Sequence, residues 1–330
     1  MPETRIADVV VPEILSDMVT AQISPYMDFL RTGIATKDYG NKDISEGGHF
    51  AKVPFYDQLS GTDEVITDSS SLVPGKITTD TDIGVVCHRG KAWASRDLAK
   101  ILSGDDPQKE IAKQVAKFWG KRFADACISV LNGVFNASAG TLKDSHRVKD
   151  GADNTSAVII SAGSIIKAAS KLGDMMTEFD CIIVHSLVYA DMIRAKLVSF
   201  PALNDPNNVD LSGNPGKFLG LDIIVTDYCP VTAGGTAPFN LYTCYLAKKG
   251  SMYFGMQKQV MTESDRDILA QKDVLATTAH FVPHLKLVKW NSTDTNPTNA
   301  NLGTAAKWTK VADDNKFIGM VALVVNATQN

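Results

Sequence analysis

Residues 105–131, DDPQKEIAKQVAKFWGKRFADACISVL, predict the longest helix of the chain. Asp105 and Asp106 form an acidic cap, and Pro107 suits the first helical turn because its missing N–H would have no partner there. Apolar side chains recur at spacings of three and four residues: Ile111, Val115, Phe118, Trp119, Phe123, Cys127, Val130 and Leu131. Roughly 25 residues at 1.5 Å each give a helix of about 37 Å. Such a helix is long enough to run along a whole domain.

A row of lysines lies on the other side of this helix. Lys109, Lys113, Lys117 and Lys121 occupy every fourth position. Like charges at that spacing repel each other by about 0.2 to 0.5 kcal/mol per pair. Two interpretations are open: an ordinary solvated face, or a face turned towards acidic material, either an acidic arm or DNA.

The segment before the helix, residues 46–95, predicts a long hairpin. One extended run carries Phe50, Val53 and Phe55 among polar residues, and a second covers residues 76–94. The polar link SGTDEVITDSSSLVPG, residues 60–75, is too long for a compact hairpin loop. Pro54 cannot donate to a strand ladder, so its strand is expected to be an edge strand or to carry a bulge. A ribbon of this kind needs another subunit beside it.

The flanking segments complete the outline. Residues 1–45 hold short amphipathic pieces broken by Pro12, Pro25, Gly33 and Gly40, which is typical of an arm that needs a partner surface. Residues 155–225 alternate between helix and strand patterns and predict an α/β layer arrangement. Strands then dominate, and the nearly all-apolar FIGMVALVVNA at residues 317–327 belongs in the middle of a sheet.

Composition narrows the class of protein. The 330 residues are 44% hydrophobic and 21% charged, which indicates a folded protein. A net charge of -4 disfavours tight binding of nucleic acid by the chain as a whole, but leaves weak contact open. The five cysteines are widely separated, lack a CxxC pair and are expected to be reduced, mostly buried thiols. We expect no signal peptide, because acidic residues interrupt the N-terminal apolar stretch, and no membrane span.

Candidate catalytic groups are sparse. His280 and His284 are separated by Pro283 in an extended context, which disfavours a metal site. His185, Ser186 and Asp191 lack the GxSxG context of a nucleophile turn, and His185-Ser186 is expected to cap a helix near Leu187. The charged residues 263–267 are better explained as an ion-pair network anchored by Arg266. We therefore expect no enzyme activity, no cofactor and no bound metal.

Several motifs in fixed order give the chain a family resemblance. They are GGHFAKVPFYDQLSG (47–61), ASRDLAKILSGDDP (94–107), FDCIIVHSLVYADMI (179–193), FLGLDIIVTDYCP (218–230), MTESDRD (261–267) and KFIGMVALVVN (316–326). Together they resemble the major capsid proteins of tailed bacteriophages over about residues 10–326. The resemblance implies an α+β fold of the Hong Kong 97 type. Its expected parts are an N-terminal arm (1–45), an extended hairpin loop (46–95), a peripheral domain with a spine helix (96–150), an axial domain (151–235) and a return to the peripheral domain (236–330).

The resemblance implies a structural subunit that assembles into hexamers and pentamers of an icosahedral shell around double-stranded phage DNA. The expected location is the virion, after assembly in the bacterial host cytoplasm. No long charged helical extension precedes the arm, so a separate scaffolding protein or prior trimming is implied, together with a portal and a decoration protein as further partners. Intersubunit contacts are expected from the hairpin residues Phe50, Val53, Phe55, Tyr56, Leu59, Val65, Leu72 and Val73, and the lysine row is expected to face DNA.

Two alternatives stay open. An encapsulin-like compartment would use the same fold to enclose a cargo enzyme in place of DNA, although the long arm and hairpin disfavour it. A hydrolase would use the region of His185, Ser186 and Asp191, or residues 263–267. Crosslinking of subunits through a hairpin Lys and a distant Asn, which occurs in some members of the wider family, is left unassigned because both positions cannot be matched.

Overall fold

The computed structural model describes residues 28–37, 47–57, 59, 61–66, 72–96, 107–150, 159–199, 216–232 and 240–327. The helices are α1 (Asp28–Arg31), α2 (Pro107–Val134), α3 (Ala162–Ala169), α4 (Ser186–Arg194) and α5 (Asn299–Leu302). The strands are β1 (Ala35–Thr36), β2 (Phe50–Tyr56), β3 (Thr79–Val85), β4 (Cys87–Arg96), β5 (Arg147–Lys149), β6 (Cys181–Val184), β7 (Lys217–Phe218), β8 (Leu221–Val225), β9 (Val231–Thr232), β10 (Leu241–Ala247), β11 (Met252–Asp267), β12 (Lys272–Leu285), β13 (Val288–Trp290), β14 (Trp308–Lys310) and β15 (Met320–Asn326).

The long helix α2 packs along a sheet of long strands. Its 28 residues span about 42 Å. The sheet has the order β1-β11-β12-β4, with β11 and β12 forming an extended antiparallel ribbon. Trp119 of α2 is buried and donates from Nε1 to Thr277 Oγ1 of β12 at 3.0 Å. The Phe123 ring lies 4.7 Å from the Phe281 ring, centroid to centroid. The apolar face predicted for this helix is therefore the face that covers the ribbon.

A second sheet has apolar side chains packed on both faces. Its strand order is β5-β15-β10-β6-β8-β7, with β9 paired to β10. Ile183, Tyr245 and Ala322 belong to the same hydrophobic cluster as α2. Their neighbours Ile182, Leu246 and Leu323 pack in a cluster with residues of α3 and α4. All seven residues of β15 are buried. The prediction that this apolar strand lies inside a sheet is confirmed, and burial on both faces explains why its sequence does not alternate.

The expected boundaries between the spine-helix, axial and return segments do not coincide with the sheets. β10 and β15, placed in the return segment 236–330, pair into the sheet that contains β6 and β8. β5, placed in segment 96–150, pairs with β15 in the same sheet. Only β11 to β14 of the last segment lie outside it among the described residues. The reason is physical: a strand as apolar as β15 needs a strand on each side, and β5 and β10 supply them.

The end of the predicted arm is part of the subunit's own core. Phe29, Ile34 and Ala35 are buried. β1 pairs in parallel with the start of β11, and Gly250 N donates to Gly33 O at 2.8 Å. The expectation that the whole of residues 1–45 needs a partner surface is wrong for residues 28–37, because these apolar side chains are already covered. The predictions for residues 1–27 and 38–46 lie outside the described residues.

The prediction that the cysteines are mostly buried is confirmed. All five are free and buried. Burial raises the pKa of Cys87 to about 11 and that of Cys244 to about 12, so both are protonated at neutral pH. In the part of the chain that the structure describes, no helix is long and apolar enough to cross a membrane.

Candidate intersubunit contact surfaces

A link, residues 57–78, joins the two strands of the hairpin. Strands β2 and β3 pair from Phe50↔Val85 to Tyr56↔Thr79 and form a two-stranded sheet. β2 is therefore an edge strand, as was predicted from the presence of Pro54 in this strand. Beyond the paired strands, all described residues from 59 to 78 are exposed. Thr78 Oγ1 donates to Asp57 Oδ2 at 3.1 Å, and Val73 N donates to Glu64 Oε2 at 3.1 Å. These two hydrogen bonds are polar contacts within the link, not contacts to the body of the subunit.

The link and the last residue of β2 present large apolar side chains to solvent. Their exposed fractions run from 53% at Ile77 to 83% at Val65. The set comprises Tyr56, Leu59, Val65, Ile66, Leu72, Val73 and Ile77. Covering one such side chain completely is worth about 1.5 to 3 kcal/mol. The link is therefore suited to contact with a second surface.

The eight predicted contact residues fall into two groups. Tyr56, Leu59, Val65, Leu72 and Val73 are exposed, whereas Phe50, Val53 and Phe55 are half-buried. Phe50 packs against the subunit's own core, so it is less available to a neighbour. Ile66 and Ile77 were not among the predicted contacts, although each is a large apolar residue within a polar link, the same signal that identified Val65.

The base of the hairpin is fastened to the ribbon by a buried pair. Asp82 of β3 and His284 of β12 are both buried, and Asp82 Oδ1 lies 2.9 Å from His284 Nε2. Asp82 Oδ2 accepts from Leu287 N at 2.7 Å. Gly84 also lies close to the ribbon, since a Cβ there would come within 2.8 Å of Val282 Cγ1. The hairpin base is thus fixed while its link projects outwards.

Substituting Asp82 tests this fastening. We expect Asp82→Ala to lower the free energy of unfolding by about 1 to 3 kcal/mol, because Leu287 N and His284 lose a buried partner. Asp80 of the same strand is the matched control: it is 39% exposed and contacts Lys289 Nζ at 2.7 Å. That hydrogen bond lowers the pKa of Asp80. Removing an exposed pair costs about 0.2 to 1 kcal/mol. Urea unfolding measures both variants, and equal costs would contradict the role of Asp82.

The lysine row is resolved in part. Lys109 and Lys113 lie in α2, but the positions of their side chains are outside the described residues. Lys117 and Lys121 are exposed. Arg122 extends the basic surface and donates to Tyr228 Oη at 3.1 Å. The exposed side of α2 is therefore basic at these three positions.

The groups considered for hydrolysis do not converge. His185 caps α4: its Nδ1 accepts from Leu187 N at 3.2 Å, as the sequence predicted for this position. Ser186 Oγ lies 3.4 Å from that same Nδ1, which the backbone already occupies. Asp191 is buried and pairs with Arg194 at 3.3 Å. The local contacts of these residues account for them as structural groups.

The charged residues 263–267 form an ion-pair network within the ribbon. Arg266 of β11 contacts Asp273 Oδ1 of β12 at 3.3 Å, and Lys272 lies 3.7 Å from Asp267. The turn between these strands exposes Ile268 and Leu269, at 78% and 98%. This tip was not predicted, although two apolar residues in a polar turn indicate an exposed contact.

The two histidines considered as metal ligands have separate neighbours. His284 contacts Asp82, while His280 packs against His88 with ring centroids 4.2 Å apart. Within the described ranges, no group of three or more His, Cys, Asp or Glu side chains is arranged to hold a metal ion.

Comparison with known proteins identifies the family. The model of the Gp13-like family, described as "Major capsid protein 13-like", matches residues 41–321. The "Major capsid protein" of Bacillus phage SPP1 is 32% identical over 326 residues, which cover 96% of this chain and 97% of that protein.

Solved capsid structures share the fold at low sequence identity. The capsid of Ralstonia phage GP4 has a TM-score of 0.59 at 10% identity, covering 90% of this chain and 88% of that one. The capsid asymmetric unit of cyanophage Pam1 has a TM-score of 0.54 at 13% identity, covering 89% and 93%. The predicted α+β fold of the Hong Kong 97 type is confirmed. The chain therefore belongs to the Gp13-like family of phage major capsid proteins, the structural subunits of the virion shell.

Proposed function

We propose that the hairpin link of each subunit packs on a neighbouring subunit and thereby joins subunits into hexamers and pentamers of an icosahedral shell around double-stranded DNA. The observation that carries the proposal is the set of large apolar side chains that the link exposes. A subunit alone leaves them in water, whereas a second copy of the chain covers them. Because every subunit has such a link, each subunit covers the link of one neighbour and has its own link covered by another.

Repetition makes the proposed contacts strong in sum. Association costs about 4 to 15 kcal/mol in lost freedom of motion, so one or two apolar contacts are insufficient for a stable pair. In a closed shell each subunit is held by several neighbours, and contacts after the first are effectively intramolecular. The exposed tip residues Ile268 and Leu269 are a second proposed contact with another copy. Modest pairwise affinity is then compatible with a durable particle.

The lysine row is proposed to line the inside of the shell. Exposed Lys117 and Lys121, together with Arg122, offer cations for weak contact with DNA phosphates. A net charge of -4 fits such weak contact better than tight binding by the whole chain.

The position of α2 in an assembled shell tests this proposal. We expect a density map of the particle to place Lys117 and Lys121 on the interior surface. As a second readout, shells that carry Lys117→Gln and Lys121→Gln should assemble normally but release their DNA at lower salt than the wild type, because fewer phosphates are neutralised. A map that places these lysines on the outer surface would contradict the proposed contact with DNA.

The remaining partners are proposed from the family resemblance. They are a separate scaffolding protein, a portal and a decoration protein, with assembly in the cytoplasm of the bacterial host. We also propose that the chain has no catalytic activity of its own. The local partners of His185, Asp191 and Arg266 support this. Turnover that alanine substitution at these positions abolishes, with assembly intact, would overturn it.

The overall proposal is tested by electron microscopy of the full chain, expressed alone and with a scaffolding protein. We expect closed shells built of hexamers and pentamers. Shells that hold a protein cargo in place of DNA would favour the encapsulin-like alternative, and particles of any other architecture would contradict the proposal.

A further inference from the structure

Four of the chain's six histidines gather where the hairpin joins the body of the subunit. His49 directly precedes β2, and His88 is the second residue of β4. His280 and His284 both belong to β12. Because histidine is the side chain whose charge changes between about pH 5 and 8, acid adds charge at this joint.

Three of these histidines form one cluster, His49–His88–His280. The His88 and His280 rings lie 4.2 Å apart, and the His49 and His88 rings 5.9 Å apart, centroid to centroid. His88 and His280 are directly opposite each other in the β4–β12 ladder. His49 belongs to the hairpin side, where its carbonyl accepts from Val86 N at 3.0 Å. The cluster therefore lies across the contact between the hairpin and the ribbon.

The surroundings of the cluster disfavour added positive charge. Arg89 of β4 acts on His88 and Lys258 of β11 acts on His280, and both of these neighbours are cationic. His88 Nε2 is buried and has no hydrogen-bond partner among these residues. Burial first, and then His49 and Arg89, lower the pKa of His88. Burial first, and then His88 and Lys258, lower the pKa of His280. The folded joint thus favours neutral imidazoles at His88 and His280.

The fourth histidine has the opposite environment. His284 Nε2 lies 2.9 Å from Asp82 Oδ1, so a protonated His284 has a carboxylate beside it. Asp82 also accepts from Leu287 N at 2.7 Å. Acid therefore adds like charges to the cluster, whereas Asp82 and His284 are in contact on the other side of the joint.

We propose that this joint is an acid-sensitive hinge, at which protonation of His88 and His280 within the His49–His88–His280 cluster loosens one side of the hairpin base while Asp82 and His284 hold the other. The inference rests on the proposed role of the hairpin link in contacting a neighbouring subunit, and it assigns the regulation of that contact. A loosened base lets the hairpin pivot and changes where its link reaches. At neutral pH the base of the hairpin stays packed on the ribbon.

The direction of the pH effect follows from the environments. An unfolded or detached histidine titrates near pH 6.5, above the native pKa values of His88 and His280. Below about pH 6.5 the open state binds more protons than the closed one, so acid favours opening. The stabilisation is complete above that pH, is lost as the pH falls towards the native pKa values, and does not decline further below them.

Hydrogen exchange of the full-length, unassembled chain tests the hinge. Protection of β2 and β3, corrected for the intrinsic pH dependence of exchange, is measured between about pH 7.5 and pH 5 in the wild type and in the variants below. We expect the protection of β2 and β3 in the wild type to fall on the order of tenfold between these pH values, since each unit of pKa difference contributes up to tenfold. The variant His88→Gln/His280→Gln should lose most of this response. His185→Asn, which retains a helix cap and removes a histidine outside the joint, should respond as the wild type does.

The outcomes separate the hinge from the proposed function. A wild-type response absent from the double variant supports the hinge. A flat wild-type profile, or an equal response in the double variant, overturns it. If the double variant fails to fold, single His88→Gln and His280→Gln variants must each reduce the response, or the hinge is again overturned. Shell formation at about pH 7.5, measured separately by electron microscopy, tests the intersubunit role of the link whichever way the exchange result falls.

Discussion

Deletion of residues 58–72 is expected to leave a folded subunit that no longer forms shells. The deletion joins Asp57 to Val73 and removes most of the exposed apolar side chains of the link. The fold should survive because the described residues of this stretch are exposed and the hairpin base is fastened independently by Asp82. Circular dichroism and urea unfolding measure the fold, and electron microscopy counts the shells. Normal-sized shells formed by the deletion variant would contradict the proposed role of the link.

A full-length variant separates apolar contact from chain length. We expect simultaneous substitution of Leu59, Val65, Leu72 and Val73 by Ser to reduce shell yield at least tenfold, since each loses up to about 1.5 to 3 kcal/mol of burial at a repeated contact. Thr62→Ser in the same exposed link is the matched control and should assemble normally. If the Ser variant assembles like this control, the apolar side chains are not the basis of the contact.

Trp119→Ala is expected to have the largest effect on the stability of the subunit itself, about 3 to 5 kcal/mol of unfolding free energy. The side chain is 1% exposed and packs at a ring-centroid distance of 5.5 Å from Phe123. Its truncation leaves a cavity between α2 and the β11–β12 ribbon. Urea unfolding of the unassembled subunit provides the measurement.

Thr277→Val is the matched control for the hydrogen bond alone. It preserves the shape of the side chain but removes the acceptor for Trp119 Nε1 and the donor to Lys91 O, at 3.0 and 3.1 Å. We expect a cost of about 1 to 3 kcal/mol for these buried groups. A cost for Trp119→Ala no larger than that for Thr277→Val would contradict the view that packing of the α2 face stabilises the subunit.

Local signals in the sequence predicted the local structure well. Pro107 begins α2 as expected, and the threes-and-fours pattern identified the face that packs on the ribbon. The predicted end near Leu131 was too early, because the helix continues through Asn132-Gly133 to Val134. Gly133 is needed for close approach rather than termination: a Cβ there would lie 2.5 Å from Leu302 O. Nothing near Gly133 in the sequence indicates that contact.

Long-range pairing was the part that the sequence did not reveal. β1 pairs with β11 although the partners Ala35 and Met252 are far apart in the chain. β10 and β15 were placed in the return segment and not with β6 and β8 for the same reason, since an apolar strand shows that it is buried but not which strands lie beside it.

The candidate contact surfaces show the same difference between local and long-range signals. The exposed link was predictable because a long polar segment with scattered apolar residues has no place in a subunit's own core. The fastening of Asp82 to His284 was not, because it joins residues on two separate strands whose sequences carry no sign of each other.

We propose above that the hairpin link of one subunit is covered by another copy of the chain. A density map of the assembled shell at side-chain resolution is the direct test of this contact. We expect Leu59, Val65, Leu72 and Val73 to lie against a neighbouring subunit and to be buried there. A map in which the link stays in solvent, or folds back on its own subunit, would show that no second copy covers it.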